Sequence, residues 1–247
     1  MSDEAIGTPS GAPVPEVPPV EPATAVATVT LADVQSDPDL SLYIASADRV
    51  MDAMGYTEHG FRHAHLVGKI AYQVLHRLGF SEREAELARV AGYLHDMGNA
   101  LSREGHAQSG AMLAYHVLRE RVDGADLMTI MAAIANHEEE EGTAVSPVSA
   151  AVILADKADV HRSRVRKPAE LELEHDIHDR VNYAVEQSFL RVDSDARTVS
   201  LELTIDTRIS QVMEYFEIFL ARMQMCRHAA MAIDARFQLF VNGQELA

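Results

Sequence analysis

His95 and Asp96 stand side by side in AGYLHDMGNA, residues 91–100, at the end of an apolar stretch. An ionised side chain in such surroundings costs several kcal/mol unless it is paired or coordinates a metal. The sequence therefore has to supply partners. Histidines and acids recur along the chain in comparable apolar settings: His63 in HAHLV, His106 in HAQSG, His137 in IANHE and Asp156 in LADKAD. Imidazole nitrogen with carboxylate oxygen suits Fe, Mn, Zn, Co or Ni, and the absence of clustered cysteines argues against a structural zinc. The alternative for His95 and Asp96 is a pair satisfied at a helix end without any metal.

Such a site needs elements that bring these residues together. From SDPDLSLYIASADRVMDAMG onward, apolar residues recur at three- and four-residue spacing, which predicts helices over about 39–54, 58–78, 82–97, 106–121, 124–139 and 147–164. Ser81 with Glu84 fits a capping box, and Ser146 before Pro147 fits an N-cap ahead of a first-turn proline. Each candidate ligand then comes from a different helix or helix end, as in a bundle whose facing helices project ligands inward. Beyond Pro168 the pattern changes. FLRVDSDARTVSLELTI alternates apolar and polar residues around a turn-rich DSDAR, as a hairpin does, and a helix over about 208–230 and a short strand in RFQLFVNG follow. The expected architecture is mainly α: a helical core over 36–167 and a small C-terminal α+β appendage over 168–247, read as a packing or dimerisation element.

Composition sets further bounds. Residues 1–30 hold six of the nine prolines and are expected to form a disordered acidic tail. The net charge is −17; seven of the acids lie in the first forty residues, which contain no Lys or Arg, and removing them leaves −10. An acidic body disfavours broad contact with a phosphate backbone, so polymeric nucleic acid is not an expected partner. No stretch has the roughly 18 apolar residues of a membrane span, and no basic-then-apolar leader opens the chain, so the protein reads as cytoplasmic with no membrane partner. The lone Cys226 has no partner for an internal disulfide.

The five motifs HAHLV, LHDMGN, HAQSG, IANHE and LADKAD, in this order over about residues 40–166, resemble those of the HD-domain metal-dependent phosphohydrolases. Histidines at 106 and 137 make the chain look more like the two-metal branch, which includes the HD-GYP phosphodiesterases and the diadenosine polyphosphate hydrolases. The resemblance implies an HD-domain helical bundle in which His63, His95, Asp96 and Asp156 hold one divalent ion. Asp96 would bridge to a second ion held by His106 and His137. Fe or Mn are the implied ions, with Zn, Co, Ni or Mg as alternatives. The implied activity is hydrolysis of a small nucleotide-like phosphate ester or anhydride, by a water activated between the ions.

The register of the resemblance favours His63 over His65 and Asp156 over Asp159, leaving Asp159 to orient a ligand. Many relatives have Lys where this chain has Asn99, and Lys157 is the candidate to replace that charge as a catalytic and phosphate-binding residue. Arg162, Arg164 and Arg166 are further candidates for gripping phosphate. The Gly-Tyr-Pro element of the HD-GYP proteins is replaced by EEEGTAV at 139–145. The run Glu138–Glu141 reads as a solvated helix end, His59 as exposed, and the methionines as packing. A homodimer through the appendage is a further expectation. The rival reading from another class is a metal-bound regulatory or scaffold protein without useful turnover.

Overall fold

A computed structural model describes residues 28–139, 142–166 and 176–246 of the chain. The first helices are α1 (Leu31–Gln35) and α2 (Pro38–Ala53), and α2 is opened by the Asp37 carboxylate, which accepts from the backbone of Asp39 and Leu40 ahead of Pro38. An antiparallel helix pair follows, α3 (Phe61–Arg77) and α4 (Glu82–Leu94). The expected capping box is present at its turn: Glu84 N donates to Ser81 Oγ at 3.2 Å, and Ser81 N donates to Glu84 Oε2 at 3.1 Å. A 3-10 turn (Met97–Ala100) leads to α5 (His106–Leu118), then α6 (Gly124–Ala135) and α7 (Pro147–Lys157). Gly105 enters α5 with φ 67°, in the left-handed region that a side chain disfavours.

Helix α7 is the central rod. Every residue from Val148 to Ala155 is buried, because α3, α4, α6 and a later helix surround it. Four helix ends fall short of the periodicity by three residues or more, the 82–97 expectation ending at Leu94 and the 106–121 expectation at Leu118. The 124–139 expectation ends at Ala135 and the 147–164 expectation ends at Lys157. A buried histidine or acid follows each of the last two ends: His137 past the end of α6, and Asp159 past the end of α7.

The appendage consists of α8 (Ile177–Ala184), β1 (Val185–Asp193), β2 (Thr198–Ile205), α9 (Val212–Ala232), β3 (Arg236–Val241) and β4 (Gln244–Glu245). The hairpin expected from alternation is the antiparallel pair β1 and β2. Strand β3 runs parallel to β2 with α9 as the crossover, a pairing that alternation cannot specify. Helix α9 packs on α7, and one hydrophobic cluster runs from Val29 to Val241 through both parts.

Val29 and Thr30, assigned by composition to the tail, are packed instead: Val29 is buried, its carbonyl accepts from Arg83 Nη1 at 2.8 Å, and Thr30 caps α1. Residues 1–27 of the expected disordered tail, Glu140, Glu141 and the boundary at 167 and 168 lie outside the described residues. Among the described residues no helix is long and apolar enough to cross a membrane.

Candidate metal centre

The turn between α3 and α4 sets the start of one helix beside the end of the other, which places His63 of α3 against His95 just beyond α4. Gly98, in the 3-10 turn, allows α5 to come close. A Cβ there would lie 1.9 Å from the carbonyl oxygen of His106 and 2.5 Å from Gly110 N. That contact brings His106, the first residue of α5, towards Asp96. His137 arrives from the end of α6 and Asp156 from the last turn of α7.

The six residues form two histidine pairs with a carboxylate between them. His63 Nε2 and His95 Nε2 are 3.2 Å apart, and His106 Nε2 and His137 Nε2 are 3.0 Å apart. Asp96 Oδ2 lies 3.4 Å from both nitrogens of the first pair, while its Oδ1 lies 3.4 and 3.7 Å from those of the second. Asp156 Oδ1 sits 3.4 and 3.5 Å from the first pair. All four histidines are at most 2% exposed.

The outer face of each ring fixes its tautomer. His63 Nδ1 donates to Asp159 Oδ2 at 2.6 Å, His95 Nδ1 to Gly92 O at 2.8 Å, His106 Nδ1 to Arg103 O at 3.0 Å and His137 Nδ1 to Ile134 O at 2.6 Å. With the proton held outward, each Nε2 turns a lone pair inward. Lone pairs facing each other at about 3 Å beside carboxylates repel unless a proton or a cation lies between them. The charge balance shows the same demand. Burial disfavours a charged His63, but hydrogen bonds with Asp156, Asp159 and Asp96 outweigh it and lift the ring to about 9. His95 is likewise raised to about 10 against its burial, chiefly by Asp96 and Asp156. His137 is pushed down to about 4 by burial. Asp96 and Asp156 stay ionised well below the usual carboxylate range despite burial, held there mainly by His95 and Lys157 respectively. The donor set fits divalent ions of the kinds named from the sequence.

Other candidates are placed differently. Asp159 orients His63, and it is gripped in turn by Arg62 Nη2 at 2.8 Å. His65 points away, bonded to Phe61 O and Gln35. Lys157, read as a phosphate contact, is buried with its ammonium 2.7 Å from Asp156 Oδ2 and 3.2 Å from Glu139 Oε1. It positions a carboxylate and does not line the neighbouring cavity. The three arginines beyond α7 are likewise engaged elsewhere. Arg162 pairs with Glu186 at 3.1 Å and Arg166 with Asp48 at 2.5 Å. Arg164 reaches the cavity wall, but its guanidinium donates to the carbonyls of Glu58 and Asp159. Their spacing along the chain does not reveal that acids and carbonyls from residues 48–58, Asp159 and Glu186 turn towards them.

The structure also brings in residues that the motifs passed over. Glu138 is not solvated: its Oε2 lies 3.2 Å from His106 Nε2, and its donors with those of His106 and His137 fall within 4.8 Å of one another. Glu139 is turned inward too, against Lys157 and Arg222. Asn99 is fully buried and its amide donates to the Asp96 carbonyl at 2.9 Å and to Asp96 Oδ1 at 3.0 Å. Asn99 therefore holds the central carboxylate in place. His59 is half-buried with its ring centroid 5.6 Å from that of His63. It borders a cavity of about 430 Å³, lined also by Tyr56, Arg103, Phe219 and Arg222.

Four imidazoles and two carboxylates converging from helices and helix ends of one bundle form a candidate metal-binding centre. Residues 60–164 match the family model described as HD domain, so this segment is similar to the HD-domain metal-dependent phosphohydrolases. HD domains bind divalent metals, in keeping with the donor groups found here. The chain is also similar to the uncharacterized protein MJ1020 of Methanocaldococcus jannaschii, with 26% identity over 184 residues covering 65% of this chain and 70% of that protein.

Proposed function

We propose that the protein is a metal-dependent phosphohydrolase that cleaves a phosphate ester or anhydride of a small nucleotide-like molecule. His63, His95, Asp96 and Asp156 would hold one divalent ion, and Asp96, His106 and His137 a second. Glu138 stands within reach of the second. The observation that carries this reading is the pair of facing Nε2 contacts, with every Nδ1 proton committed outward and one oxygen of Asp96 directed to each pair. When bound, two such ions supply Lewis acidity towards phosphate oxygens and lower the pKa of water.

The protein's own residues do the positioning. Asp159 holds the His63 tautomer, Asn99 fixes Asp96 and Lys157 fixes Asp156. The cavity of about 430 Å³ suits a compact ligand, and the acidic body disfavours long polyanions.

The test uses the purified full-length chain supplied with Mn or Fe. Elemental analysis should find close to two equivalents of metal. A screen of nucleotides, dinucleotides and a chromogenic phosphodiester should reveal metal-dependent turnover. Absence of metal uptake on titration overturns the metal assignment. Full metal loading without turnover on any of these compounds would favour a regulatory or scaffold protein.

A further inference from the structure

Two arginines from opposite parts of the chain meet at the cavity beside the histidine cluster. Arg103 lies between the 3-10 turn and α5, while Arg222 belongs to α9 of the appendage, and both line that cavity. Adjacent glutamates just beyond α6 hold them. Arg103 Nη2 donates to Glu138 Oε2 at 3.3 Å, and Arg222 Nε lies 2.5 Å from Glu139 Oε1. Each guanidinium also faces an aromatic ring, Arg222 at 4.5 Å from the Phe219 centroid and Arg103 at 5.9 Å from that of Tyr56. Arg103 further contacts His106 Nε2 through Nη1 at 3.3 Å, so this end of the cavity adjoins the metal centre.

We propose that Arg103 and Arg222 form a two-guanidinium clamp for the anionic part of the substrate that is not cleaved, which makes the C-terminal appendage a specificity element of the site. The inference rests on the phosphohydrolase reading and adds the residues that recognise the substrate. A guanidinium carries five N–H donors in a planar fork. The contacts just given engage two of them in Arg103 and one in Arg222, leaving donors for a phosphate oxygen. Arg164, which braces the same wall through the carbonyls of Glu58 and Asp159, is closed off at 4% exposure. The side chains of Arg103 and Arg222 instead keep 27% and 25% of their surface open. The glutamates orient them, Glu138 being shared with His106 and Glu139 with Lys157, and the same cavity is lined also by Arg164, Asp176 and Asp179. A phosphate is the acceptor that matches two planar forks on one wall.

The experiment measures binding of inorganic phosphate to the full-length chain by calorimetry, in EDTA-treated and Mn-loaded forms, together with metal content. The variants are Arg103→Gln, Arg222→Gln, Arg222→Lys and, as a charge-matched control on the outer strand, Arg191→Gln. Phosphate should bind the EDTA-treated wild type. Each glutamine variant at 103 or 222 should weaken that binding about tenfold, as expected for lost hydrogen bonds to a charged acceptor. Arg222→Lys should fall between, Arg191→Gln should match wild type, and metal content should stay unchanged. Circular dichroism identifies any variant that fails to fold, and the lysine variant then carries the comparison at 222.

For a hydrolysed substrate bearing a second phosphate, KM should rise in the glutamine variants with kcat largely kept. Absence of phosphate binding by the EDTA-treated wild type, or unchanged affinity in folded glutamine variants, overturns the clamp. Arginine-dependent phosphate binding without turnover in the Mn-loaded protein would leave the clamp standing and overturn the hydrolase reading instead.

Discussion

Replacing Asp159 with alanine tests whether the outer support of the histidine cluster holds the site and the fold together. Its carboxylate accepts from His63 Nδ1 at 2.6 Å and from Arg62 Nη2 at 2.8 Å, and it lies 3.7 Å from Arg164 Nε. The Arg62 side chain is 37% exposed, so water replaces much of what that contact provides. His63 at 0% and Arg164 at 4% exposure have no such recourse. Removing one partner from a buried charged arrangement costs about 3–5 kcal/mol. At about 2–4 °C per kcal/mol for a chain of this size, the melting temperature should fall by about 6–20 °C.

The pH dependence has a definite sign. Burial alone would raise the Asp159 carboxyl, yet Arg164, His63 and Arg62 hold it far below the usual carboxylate range. A depressed acid contributes stability that is present above the unfolded value of about 3.9 and is lost as pH falls towards the folded one. The gap between variant and wild type should therefore be full at neutral pH and shrink in acid below about pH 4. Thermal melts of the EDTA-treated proteins followed by circular dichroism give the stability, and titration of the folded variant gives the metal affinity. Loss of the group that orients His63 should weaken metal binding about 10- to 100-fold. Asp159→Asn, which keeps an acceptor for His63, should lie between. An alanine variant that melts within 2 °C of wild type and binds metal equally well would refute the reasoning.

Replacing either His106 or His137 with alanine should remove about one equivalent of metal and most of the activity; unchanged stoichiometry would point to a one-metal centre. Gly98→Ala should force the 3-10 turn and α5 apart, since its Cβ would meet backbone atoms. Overpacking of this kind costs about 1–3 kcal/mol or more. The melting temperature should drop, with metal lost chiefly from the His106 side, and wild-type values for both would show that the crossing yields easily. Cys226 is buried with its thiol pushed up to about 12 by that burial, so at pH 8 a thiol reagent should label the native protein only as fast as it opens, and the denatured protein at once. Immediate labelling of the native protein would refute that placement.

The sequence was most legible where local chemistry decides the outcome. Ser81, Glu84, Ser146 and Pro147 announce helix starts because capping is settled within one turn. The alternation in β1 and β2 likewise marks a hairpin. The convergence of His63, His95, Asp96, His106, His137 and Asp156 was suggested by ordered motifs, each on its own helix end. What stayed hidden depends on distant parts of the chain. Glu138 and Glu139 sit in an acidic run that looks solvated until Arg103 and Arg222 are brought against it. Lys157 looks available for phosphate until Asp156 and Glu139 are seen to take its ammonium. The appendage looks like packing until its crossover helix sets Arg222 on the cavity wall.

Helices α3 and α4 touch through Gly68 and Gly92. A Cβ on Gly92 would lie 3.1 Å from Gly68 Cα, and one on Gly68 would lie 2.7 Å from the carbonyl oxygen of Arg89. Main chain rests directly on main chain there, so no flexible side chain can yield to let the two axes drift apart. Rings carried just beyond that crossing, with centroids 5.0 Å apart in His63 and His95, inherit its stiffness. Ions of different radius would then be accommodated first by rotation of the Asp96 and Asp156 carboxylates, with the imidazoles as fixed walls. Exchanging a small ion for a larger one should accordingly shift the vibrational bands of the carboxylates while leaving the histidine ring resonances nearly in place.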